Sequence, residues 1–147
     1  MLLTADTIVT GSELLRPGWI EVSRDTVVAV GSGTANRRAD HDLGLATVVP
    51  GFVDTHVHGG GGGAFSSAAG AETAAAVDFH LRHGTTTLVA SLVTAAPTDL
   101  IRQLENLTDE VRAGRITGIH LEGPWLAATR CGAHEPSLLR DPDPGEV

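Results

Sequence analysis

From residue 50 onward, apolar positions switch between the two-residue period of strands and the longer period of helices. Phe52, Asp54, His56 and His58 fall on one face of a short buried strand, with Val53, Thr55 and Val57 on the other. The glycine run 59–63 follows at once. Residues 71–83 then read as a helix, with Ala74, Val77 and Leu81 at helical spacing and Gly84 as its stop. Residues 85–93 are strongly β-forming. Pro97 opens a second helix whose buried stripe is Leu100, Leu104, Leu107 and Val111, and Gly114 ends it. Residues 116–122 form the third strand, closed by Gly123-Pro124. Strand, helix, strand, helix, strand at this spacing predicts parallel βαβ units, and hence an α/β fold.

Residues 1–49 follow a different pattern. Thr7-Ile8-Val9-Thr10, Gly18 to Val22 and Thr26 to Val30 read as short strands, with Arg24-Asp25 turning the second into the third. The expectation is a small antiparallel unit in which Trp19 is a packing residue. The chain is therefore divided as 1–49 and 50–147.

Composition narrows the function classes. The 147 residues carry a formal net charge of −8, which argues against a nucleic-acid partner that would need a basic patch. No apolar run approaches the length of a membrane span, and no secretory signal is evident. Cys131 is the single cysteine, so an intrachain disulfide is impossible and a reducing cytoplasm is the expected location.

Candidate chemistry gathers where the strands end. His56 and His58 lie side by side at the carboxyl end of the first strand, and imidazole nitrogen suits zinc, iron and nickel. Glu122 ends the third strand and shares a face with His120. In parallel α/β architecture, active sites collect at these carboxyl ends. His56, His58 and Glu122 thus form a candidate shell for one or two divalent metals. The loop 125–136 lies above the same end, where His134 could hydrogen-bond a substrate. Cys131 reads as a loop residue and not a thiol nucleophile, since it has no basic partner. His80 and His83 read as helix-surface residues.

These stretches carry a family resemblance. Residues 50–59, Pro-Gly-Phe-Val-Asp-Thr-His-Val-His-Gly, resemble the opening strand of the amidohydrolase superfamily. Residues 120–126, His-Leu-Glu-Gly-Pro-Trp-Leu, with Gly-Ala-His-Glu-Pro at 132–136, resemble the N-acetylglucosamine-6-phosphate deacetylase family within it. The resemblance implies that residues 50–147 are the first part of a (β/α)8 TIM-like barrel and residues 1–49 the first part of a small β-sandwich. It implies metal binding by Glu122, with His56 and His58 as the further pair found in some members, and substrate contact by Ala133 and His134. The metal would be zinc, with iron, manganese, cobalt or nickel as alternatives. Many members have a basic residue at the position of Cys131. The implied reaction is hydrolysis of the N-acetyl group of N-acetylglucosamine 6-phosphate, in a homodimeric enzyme. The general-base aspartate and two further metal-binding histidines are expected beyond Val147, so the chain is read as an incomplete N-terminal portion, inactive by itself. Another enzyme of the superfamily, a cyclic amidohydrolase or deaminase, and a non-catalytic metal-binding fragment are the alternatives.

Overall fold

Short β-forming stretches separated by turns make two small sheets of the N-terminal residues. The structure, a computed structural model, describes residues 1–67 and 69–145. The chain divides after Pro50 into two compact units. In the first, β1 (Leu2–Ala5), β4 (Gly18–Ser23), β5 (Thr26–Ser32) and β6 (His41–Asp42) form one sheet in the order β5-β4-β1-β6. β2 (Thr7–Val9), β3 (Leu14–Leu15) and β7 (Thr47–Val48) form the other, in the order β3-β2-β7. Arg24 turns β4 into β5 with φ 56. Ala5, Ile8 and Leu15 are the buried centre, with Ile20 and Val48 packed against them.

The second unit begins with β8 (Phe52–Val57) and a short hairpin of β9 (Gly59–Gly60) and β10 (Gly63–Ala64). Then come α1 (Gly70–Arg82), β11 (Thr85–Val93), α2 (Pro97–Arg112) and β12 (Gly118–Glu122). The sheet order is β12-β11-β8, and both pairings are parallel. This is the α/β arrangement that the periodicity predicts. The described residues form an open three-stranded sheet with no closed barrel.

Period-two alternation along β11 explains the two sides of this sheet. Leu88, Ala90 and Leu92 are buried against Ala76 and Val77 of α1 and Leu100 and Leu107 of α2, with Phe65 in the same cluster. Full burial of a side chain the size of Leu92 or Leu107 contributes about 1.5–3 kcal/mol. Val57, Ile119 and Leu121 pack against this cluster from β8 and β12. The alternate residues therefore point to the opposite side: His56, Ser91, His120 and Glu122.

Three expectations need correction. β8 is an edge strand and not a buried one: Phe52 and Val53 are 59% and 65% exposed, because among the described residues β8 has β11 as its only sheet neighbour. β12 begins at Gly118, two residues late, because residues 115–117 are still leaving α2; Ile116 N–H donates to the Glu110 carbonyl. The N-terminal unit is not wholly antiparallel: β6 pairs with β1 and β7 with β2 in parallel, because long connections return the chain in the same direction. The glycine run 59–63 forms a hairpin seated on α1. No described helix is long and apolar enough to cross a membrane.

Candidate metal centre and substrate groove

His56, near the end of β8, and His58, just beyond it, bring their Nε2 atoms to 3.2 Å from each other. Glu122 reaches the same point from the end of β12, two strands away. Its Oε2 lies 3.3 Å from His56 Nε2 and 2.9 Å from His58 Nε2. The three residues predicted as ligands thus present three atoms to one small volume. With bonds of ~2.1 Å, ligand atoms stand ~3.4 Å apart in a tetrahedron and ~3.0 Å apart in an octahedron. The observed spacings match such a polyhedron.

Protonation strengthens the argument. His58 Nδ1 lies 3.0 Å from the Ser91 carbonyl oxygen, which can only accept, so Nδ1 carries the proton. A neutral His58 then turns a lone pair at Nε2 toward the Glu122 carboxylate. Two electron-pair donors 2.9 Å apart repel each other unless a proton or a cation lies among them. The donor set fits a divalent cation, and the Ser91 carbonyl, by accepting from Nδ1, orients the His58 ring as the outer hydrogen-bond partners of metal-binding histidines usually do. Partial burial disfavours the charged form of Glu122, but without a cation the positive charge of protonated His56 and His58, with the hydrogen bond to His134, outweighs it and holds the carboxyl below its ordinary range.

Other groups complete the surroundings. Ser91 stands opposite His120 in the β11–β12 register, and its Oγ lies 3.1 Å from His120 Nδ1. The His120 and His56 rings are 5.1 Å apart. His83 is exposed and caps its own helix by donating to the Phe79 carbonyl. His80, contrary to its reading as a surface residue, is partly buried and donates from Nε2 to the Gly59 carbonyl at 3.0 Å, tying α1 to the hairpin that follows His58.

The loop after β12 borders the three ligand atoms. A groove of about 690 Å³ is lined by His56, His58, Glu122, Ala133 and His134, along with Arg130 and Cys131. Both predicted substrate contacts, Ala133 and His134, thus share one cavity with the candidate ligands. His134 Nε2 lies 3.6 Å from Glu122 Oε1. Cys131 is a free, half-buried cysteine in this lining. Glu135 is occupied as a cap, its carboxylate accepting from the Ser137 hydroxyl and N–H, which keeps its pKa low. Ser91 and Thr94 were not singled out by motif reading, although each lies at or just past the carboxyl end of β11, where strand-end reasoning could have found them.

An α/β unit with a His-x-His pair and a glutamate at strand ends defines a class. Residues 47–146 match the amidohydrolase family, and the chain belongs to that family. The family uses divalent metal, which agrees with the His-His-Glu group. Within it, the chain is 68% identical to N-acetyl-D-glucosamine-6-phosphate deacetylase from Mycobacterium smegmatis. A structure of a variant of that protein in complex with N-acetyl-D-glucosamine-6-phosphate superposes with a TM-score of 0.95, over 99% of this chain and 38% of that one. The chain is also 33% identical, over 95% of its length, to the N-acetylgalactosamine-6-phosphate deacetylase of Shewanella sp. (strain ANA-3), of which it covers 38%. It is 31% identical, over 90% of its length, to the human N-acetylglucosamine-6-phosphate deacetylase, of which it covers 35%. It therefore spans well under half the length of these relatives.

Proposed function

We propose that the protein bearing this chain is a divalent-metal deacetylase that converts N-acetylglucosamine 6-phosphate to glucosamine 6-phosphate and acetate. The observation that carries the reading is the convergence of His56, His58 and Glu122 beside the His134 groove, in a chain 68% identical to a deacetylase captured with that sugar phosphate. His56, His58 and Glu122 would hold one or two ions, zinc foremost. A bound divalent ion makes water more acidic and polarises an amide carbonyl. Glu122 balances the positive charge, Ser91 keeps His58 in the metal-binding tautomer, and His134 with Ala133 would orient the sugar. The proton that must reach the departing amine is assigned to an aspartate later in the sequence. The three parallel strands would open a (β/α)8 barrel, preceded by the first strands of a β-sandwich, in a cytoplasmic homodimer.

A second reading has its own support: the Shewanella relative acts, by its name, on the galactosamine epimer. Steady-state hydrolysis of both epimeric 6-phosphates by the full-length protein separates the possibilities, the epimer with the higher kcat/KM being the one the site is built for. Either N-acetylated 6-phosphate should be turned over far better than unphosphorylated N-acetylglucosamine, because a remote phosphate supplies binding energy that positions the amide. Equal rates with and without phosphate would reject the phosphate claim. Turnover of dihydrouracil or hydantoin alone would reject the deacetylase reading.

A further inference from the structure

Thr94 follows β11 directly and is 7% exposed. Two of its atoms meet one nitrogen: its main-chain N–H lies 3.3 Å and its Oγ1 2.8 Å from His134 Nδ1. A main-chain N–H can only donate, so Nδ1 of His134 is unprotonated. The Thr94 hydroxyl, which could act either way, then also donates. A neutral imidazole with a bare Nδ1 carries its proton on Nε2. That nitrogen lies on the Glu122 side of the ring, 3.6 Å from Oε1, in a side chain 8% exposed. Gly123 permits the arrangement: its φ is +92, and a Cβ there would collide with Thr94 Oγ1.

We propose that Thr94 is a positioning residue that sets the tautomer of His134, so that the ring offers the groove an N–H donor and not a lone pair. His58 and His134 are then held in opposite tautomers by neighbouring segments of the chain. Ser91 accepts from Nδ1 of His58 and leaves a lone pair for a cation. Thr94 donates to Nδ1 of His134 and leaves a proton for an oxygen of the substrate. His134 is thereby kept from competing for the cation that His56 and His58 would hold. The tautomer is a property of these residues alone; the use of the donor on an amino-sugar phosphate rests on the function proposed above.

The test uses zinc-loaded full-length protein with 15N-labelled histidine, comparing wild type, Thr94→Val and Thr94→Ser, with His134→Gln to assign the signals. Wild type should show His134 Nδ1 in the range of an unprotonated ring nitrogen and Nε2 in the protonated range. Thr94→Val keeps the main-chain N–H and loses only the hydroxyl, so it should admit a minor population of the other tautomer and raise KM for the amino-sugar phosphate about tenfold, the loss of one hydrogen bond, with kcat and zinc content little changed. Thr94→Ser should restore both. A protonated Nδ1 in wild type would overturn the proposal, as would a Thr94→Val protein with wild-type tautomer and KM. If no amino-sugar phosphate is turned over, the proposed function fails, and the nitrogen signals still decide the tautomer.

Discussion

At Glu122, burial and charge act in opposite directions. Partial burial raises its pKa, and His56, His58 and His134 lower it by more. A carboxyl whose folded pKa lies below its unfolded value contributes stability that is present above the unfolded value and lost as pH falls through the folded one. In metal-free protein, the stability difference between wild type and Glu122→Gln should therefore shrink as pH is lowered from about 6 to about 3, in urea-unfolding midpoints. A difference that stays constant across that range would contradict the charge assignment. The candidate ligands are legible in the sequence because period two puts His56 beside His58 and Glu122 at a strand end. Ser91 and Thr94 are not, because their roles come from partners distant in sequence. Ser91 meets His120 only through the β11–β12 register, and Thr94 meets His134 from forty positions away.

The glycine hairpin shows the same limit for a whole element. A run of glycines has no side-chain period, so the β9–β10 pairing leaves no trace in the pattern. Its function as a spacer is clear from contacts: a Cβ on Gly63 would collide with the Glu72 carbonyl in the first turn of α1. Gly70, at the start of the same helix, has nothing within 4 Å of such an atom. Gly63→Ala should therefore destabilise the protein by about 1–3 kcal/mol, the range for overpacking, and weaken metal binding by displacing His58. Gly70→Ala should be neutral or stabilising, since it removes freedom from the unfolded chain. Thermal melts with metal analysis check both, and equal effects at the two sites would refute the spacer role. The two long helices and β11 are readable because each spans enough residues to display a period, and a glycine, Gly84 or Gly114, stands two residues past the end of each helix. Strands of two or three residues, such as β3, β6 and β7, are too short to show one.

For the whole molecule, the parallel sheet brings β8 and β12 to the same end although β11 separates them. That is how residues more than sixty positions apart come to share one candidate cation site. The αβ alternation is enough to expect this meeting and, with the strand stop at Gly123-Pro124, the place of the loop after β12 and His134 above it, while Ala133 as part of the lining follows from motif resemblance alone. The central claim is that His56, His58 and Glu122 together hold the ion on which deacetylation depends. Acetate release from N-acetylglucosamine 6-phosphate, followed as zinc is returned to metal-stripped full-length protein, tests it most directly. Wild type should regain activity in proportion to bound zinc, up to a stoichiometric end point. Glu122→Gln should bind less zinc at every concentration and recover at least about 100-fold less activity, as expected when a partly buried charge partner of a catalytic ion is lost. Full recovery by Glu122→Gln, or wild-type activity indifferent to zinc and to every other divalent ion, would contradict the account.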